Sequence, residues 1–127
     1  MNKIIEWNIP IRTVSEANCS EHWTKKKKRH DQQKKWIWLY FKRDGTKITL
    51  PCTIKLTRLG KRLLDADDNL RMSFKWIKDY IADQLIPNLA AGRADDDKRI
   101  TWEYDQEISK TYSIKIEISI DNLARKP

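Results

Sequence analysis

Toward the end of the chain, Tyr112, Ile114, Ile116, Ile118 and Ile120 occupy every second position. Successive side chains of an extended chain point to opposite sides, so this spacing lays one apolar row along a strand. The same period of two recurs in three other places. Ile5, Trp7, Ile9 and Ile11 carry it over residues 4–14. Ile48, Leu50, Cys52, Ile54 and Leu56 carry it over 46–57, alternating with Thr49, Thr53, Lys55 and Thr57, which predicts one buried and one wet face. Ile100, Trp102 and Tyr104 carry it in a third segment, and the short span before Tyr112 reads as a hairpin connection. Pro10 places the first strand at a sheet edge or gives it a bulge, because proline donates no ladder hydrogen bond.

Two segments have the other period. Leu70, Phe74, Ile77, Ile81 and Leu85 are spaced four, three, four and four apart. That draws a single apolar stripe on a helix over 67–85, stopped by Pro87. From about Ser20 to Lys42 a second helix is expected, with Trp23, Ile37 and Phe41 able to share a face. The apolar block Trp36 to Phe41 fits a buried helix end or the start of a strand, and Asp44 with Gly45 marks the turn that follows. Ser15 and Asn18 both suit a helix N-cap. The order is β-α-β-α-β-β without internal repeats. It predicts an α+β fold in one domain over 1–127: a mixed sheet of about four strands with two helices, and a frayed tail over 121–127.

The composition narrows the partners. Twenty-six Lys and Arg against eighteen Asp and Glu leave a net charge of +8, a field that attracts polyanions. No apolar run approaches the roughly 18 residues of a bilayer span, and Met1 to Pro10 lacks the pattern of a signal peptide, so no membrane partner is expected. Cys19 and Cys52 form no framework and read as reduced thiols of a cytoplasmic protein. His22 and His30, eight residues apart, suit no common metal spacing on a helix and read as surface or packing residues. Lys25, Lys26, Lys27, Lys28 and Arg29 on the first helix are the candidate DNA contacts, against the plainer reading of a solvated face. Trp36, Trp38 and Trp76 read as core before they read as base-stacking platforms.

Against this basic background two acidic clusters stand out: Asp65, Asp67 and Asp68, and then Asp95, Asp96 and Asp97. Hydrolysing a phosphodiester at neutral pH needs an activated water and relief of charge on the phosphate. Carboxylate-bound magnesium, with manganese as a substitute, supplies both. The plain alternatives are helix caps and turns, which also favour aspartate. At 100° per residue Asp68, Met72, Lys75 and Asp79 fall in one arc opposite the apolar stripe, which would set Lys75 to meet a phosphate beside a metal at Asp68.

These residues resemble a known family. Leu64-Asp-Ala-Asp-Asp-Asn-Leu70, a helix, then Asp95-Asp-Asp97 before a strand is similar to the pattern of the RusA-type Holliday-junction resolvases of phages and prophages. Ile9-Pro-Ile-Arg12, Ser15-Glu-Ala-Asn18, His22-Trp23 and Arg99-Ile-Thr-Trp-Glu-Tyr104 extend the likeness to about residues 9–120. The resemblance implies a magnesium-dependent homodimer that binds a four-way DNA junction and nicks two strands of like polarity. Asp68 matches the motif aspartate and Asn69 the motif asparagine. Asp65 or Asp67 would take the role of the aspartate whose place is held by Ala66, and Asp97 is preferred among the second cluster. The family's catalytic lysine falls at Met72, leaving Lys75 to replace it. The rival expectations are a nucleic-acid-binding protein that keeps the fold without efficient cleavage, which Ala66 and Met72 favour, and an interaction module whose charges only keep it soluble.

Overall fold

The computed structural model describes residues 2–15, 22–45, 47–65, 69–87 and 94–120. Asn18 and Cys19, both named above, lie outside these residues. Strands β1 (Asn2–Ile9), β2 (Cys52–Gly60), β3 (Ile100–Ile108) and β4 (Ser113–Ile120) form one mixed sheet in the order β1-β4-β2-β3. β4 is antiparallel to both β1 and β2, while β2 and β3 are parallel. Helices α1 (Trp23–Asp44), α2 (Asn69–Ser73) and α3 (Lys75–Leu85) complete the α+β fold.

The isoleucine row of β4 lies at the centre of the core. Ile114, Ile116 and Ile118 are fully buried and face Ile9, Trp7 and Ile5 of β1 on one side. On the other side Ile116 and Ile118 face Leu56 and Ile54 of β2. Ile37 of α1 and Phe74, Ile77 and Ile81 close the layer, also fully buried. Trp7 packs edge-on to Phe41, with ring centroids 4.9 Å apart, so α1 lies over the β1 side. Arg71 over Tyr104 and Lys78 over Trp102 show α2 and α3 running back along β3. β1 is indeed an edge strand, with a register irregularity between Lys3 and Ile5, and it ends just before Pro10.

The structure corrects several expectations of the fold. β3 and β4 form no hairpin: β2 lies between them, and residues 109–112 step across its end, where Ser109 N–H donates to Gly60 O at 2.8 Å. Alternation fixes which face a strand buries and is silent on which strand it pairs with. β2 begins at Cys52 and not near residue 46, because Pro51 has no N–H and the ladder opens with Cys52 N–H to Arg99 O at 2.9 Å. Its second face is not wet: Thr53 is 7% and Thr57 1% exposed. A strand paired on both edges is screened by its neighbours' long side chains, here the Lys55–Asp105 and Lys115–Glu107 ion pairs.

The helix over 67–85 is two helices. Ser73 Oγ donates to Leu70 O at 2.6 Å, and Phe74 N–H bonds Arg71 O, three residues back, at 3.0 Å. A serine bonded back to the preceding turn bends a helix, and the axis breaks at Phe74. In α1, Trp23 does not share the buried face: it is 69% exposed at the helix start, where His22 Nδ1 caps Thr24 N–H at 3.2 Å. The block Trp36 to Phe41 continues this helix, which ends at Gly45 (φ 68°), whose N–H donates to Phe41 O.

Candidate nucleic-acid interface and acidic segments

Pro10 ends β1, and Ile11 N–H turns back onto Ile9 O at 2.8 Å. Ile11 is buried, which pins the departing chain beside α1. Between them lies an open groove of about 450 Å³, with Pro10, Arg12 and Val14 on one wall and Lys25, Lys28, Arg29 and Trp36 on the other. Positions 25, 28, 29 and 36 share a helical face, so three cations of the lysine run converge here. The other two diverge. Lys27 turns away to Asp31, four residues on, at 2.9 Å, and Lys26 is half-buried outside the groove lining. Trp36 packs against the core, and Trp76 stacks on His30 at 4.6 Å, joining α1 to α3. Trp38 departs from the core reading: it is 45% exposed, with Lys42 Nζ 4.8 Å from its ring centre.

Of the first acidic cluster, Asp65 is exposed and its backbone oxygen accepts from Leu70 N–H at 2.8 Å. Asn69, the first residue of α2, accepts at Oδ1 from the Ser15 hydroxyl at 2.7 Å. Asp67 and Asp68 lie outside the described residues, as does Ala66. Of the second cluster, Asp96 is exposed at the end of a 3-10 turn (Ala94–Asp96), and the Asp95 side chain lies outside the described set.

Asp97 is engaged. Its Oδ1 accepts from Arg99 N–H at 2.9 Å and Arg99 Nε at 3.0 Å, and its Oδ2 from the guanidinium at 2.9 Å. The Arg99 side-chain bonds, then the backbone one, bring its carboxyl from 3.8 down to about 2, and the same pair raises the arginine. A charge-assisted bidentate pair of this kind locks the turn before β3.

Asp65 and Asp97 stand toward opposite ends of β3. Leu64, next to Asp65, exchanges two hydrogen bonds with the Gln106 side chain, at 2.8 and 2.7 Å. Asp97 stands at the other end, its backbone oxygen accepting from Ile100 N–H at 3.1 Å. Ile100 and Gln106 are six strand residues apart, roughly 20 Å. The structure therefore ties Asn69, through Ser15, to the segment that follows the groove wall, and leaves Asp97 toward the other end of β3. Lys75 is exposed, its ammonium 5.3 Å from the Trp76 ring centre, and the break at Phe74 removes the continuous helix on which its alignment with Met72 depended. Among the described residues no group of three His, Cys, Asp or Glu is placed to hold a metal ion.

Sequence reasoning missed Arg12 and Ser15 as parts of this surface, although Pro10, which ends β1, is the signal that frees them from the sheet. No protein-family model matches the chain, and no curated protein matches it. Among the described residues no helix is long and apolar enough to cross a membrane.

Proposed function

We propose that the chain is a magnesium-dependent endodeoxyribonuclease acting on branched DNA, a four-way junction above all, as a cytoplasmic homodimer. One observation carries the reading. The Ser15–Asn69 hydrogen bond ties the segment that follows the groove wall to the start of α2, next to the first acidic cluster. A strand drawn in by Arg12, Lys25, Lys28 and Arg29 would thus run toward carboxylates.

In this reading Asp65, Asp67 and Asp68 hold the ion, which suits magnesium's preference for a few carboxylates and retained waters. The bound ion supplies a water of lowered pKa and charge relief on the phosphate. The chain's own residues bind and orient. The groove cations position the backbone, and Ser15 fixes the Asn69 carboxamide. Asp97 is already engaged by Arg99, and Lys75, whose part would be to relieve charge on the phosphate, stands across the helix break, so neither carries the proposal.

The test is nicking of an end-labelled four-way junction by wild type and Asp68→Asn, with and without magnesium or manganese. Paired, symmetric, metal-dependent nicks that vanish in the variant are the expected result. A second reading, a junction-binding protein without cleavage, is favoured by the commitment of Asp97 to Arg99 and by Met72 at the lysine position. Tight binding with no nick at any metal concentration would replace the first reading with it.

A further inference from the structure

Ile54, Leu56 and Arg58 follow one another on the helix-facing side of β2, so an arginine stands where the alternation calls for an apolar residue. Arg58 is only 6% exposed. One guanidinium nitrogen donates to Arg62 O at 2.9 Å, but its Nε–H is buried and meets no acceptor. Burial pushes its pKa down, the Tyr112 phenol offsets part of that, and the charge of Arg12 lowers it further. Three cations crowd the Tyr112 ring: Arg12 at 4.2 Å from its centre, Arg58 at 5.9 Å and Lys61 at 6.0 Å. Among the described residues none of the three is paired with a carboxylate. Gly60 makes the packing possible, since a Cβ there would lie 2.9 Å from the Arg58 guanidinium and 3.0 Å from the Tyr112 ring.

Three like charges around one ring, one of them buried, repel one another, and proteins seldom bury a charge without a partner. An oxyanion bound among them relieves both conditions. We propose that Arg12, Arg58 and Lys61, gathered on Tyr112, form a phosphate-binding subsite that takes a backbone phosphate of a DNA strand. Arg12 also lines the groove beside α1. Lys61, on the far side, borders an open depression of about 520 Å³ with Ser109 and Lys110. A strand leaving the groove crosses Tyr112 to reach this depression, and the subsite holds the phosphate at the crossing. The identification of the strand as DNA rests on the proposed function; the anion chemistry stands apart from it.

The experiment compares wild type with Arg58→Gln, Arg12→Gln and Lys61→Gln, using inorganic phosphate and a single-stranded DNA oligonucleotide as probes. Phosphate is expected to raise the wild-type Tm above that in chloride of equal ionic strength, and the shift is expected to shrink in each variant. Oligonucleotide affinity should fall roughly tenfold or more for Arg58→Gln, the loss of a charge-assisted contact. Without ligand, Arg58→Gln should keep or gain Tm, because a buried repulsion is removed; an arginine with a purely structural role would lose it. Arg12 and Lys61 are exposed, so their variants test the subsite even if Arg58→Gln folds poorly. Unchanged oligonucleotide affinity in all three variants overturns the proposal, including where inorganic phosphate still shifts Tm. Because neither readout needs cleavage, a protein that binds as expected yet never nicks sinks only the nuclease reading. One that nicks while the variants bind normally sinks only the subsite.

Discussion

Asp97 and Arg99 clasp each other across two residues, the carboxylate accepting from both the backbone and the guanidinium of the arginine. A carboxyl whose pKa falls on folding stabilises the protein above its unfolded value and loses that contribution as pH drops through its folded value. For Asp97 that window runs from about 3.8 down to about 2. Asp97→Asn should therefore lower Tm slightly at pH 7, and the gap to wild type should close as the pH approaches 2. The effect is small because the pair faces solvent, which screens it. Thermal melts at pH 7, 4 and 2 check it, and a gap that persisted at pH 2 would mean that shape, not charge, holds the turn.

Phe74 stands at the break between α2 and α3 yet is fully buried, 6.1 Å ring to ring from Tyr104. Its side chain is what fastens the broken helix to β3. Truncating a buried phenylalanine typically costs about 3–5 kcal/mol, the lost transfer energy plus the cavity left behind. Phe74→Ala should lower the urea midpoint accordingly with an unchanged slope. A cost below about 1 kcal/mol would show that the two helices close over the gap.

Much of this fold is visible in the residue spacing, and what is not has physical causes. The rows Ile114 to Ile118 and Leu70 to Ile81 find their buried faces because one period admits one geometry. The insertion of β2 between β3 and β4 leaves no local trace, since strand pairing is a long-range contact. The break at Phe74 has no counterpart in the apolar spacing, which runs through it unchanged, and the Ser73 hydroxyl bonded back to Leu70 O is its local mark. In the candidate site, the charge of residues 25–29 was legible, but only the helix phase sends Lys27 to Asp31 and leaves Lys25, Lys28 and Arg29 on the groove. Arg58 escaped attention because one arginine at the end of an apolar row reads as the strand leaving the core. It is instead buried there.

Gly60 gives a test of that packing without touching a charge. Its missing Cβ is where the Arg58 guanidinium and the Tyr112 ring fit, at 2.9 and 3.0 Å. Gly60→Ala should force one of them aside at an overpacking cost of about 1–3 kcal/mol. Thermal unfolding measures the loss. If stability were unchanged, the arginine and the ring would have room to move and would not be held in a fixed cluster.

The groove makes a quantitative prediction about salt. Each cation that neutralises a DNA phosphate releases condensed counterions, so the slope of log affinity against log salt counts contacts at about 0.9 each on duplex DNA. Lys25, Lys28 and Arg29 share the groove, while Lys27 faces Asp31. Replacing these three helix cations with glutamine should weaken binding uniformly across sequences and reduce the slope by about 3. Lys27→Gln, the control, removes the same charge from the same helix and should leave the slope nearly unchanged. Fluorescence anisotropy over a salt series on one duplex gives both numbers. Equal losses from Lys27 and from each groove cation would mean that the helix acts as a diffuse positive surface, and the groove would lose its standing as the path of the strand.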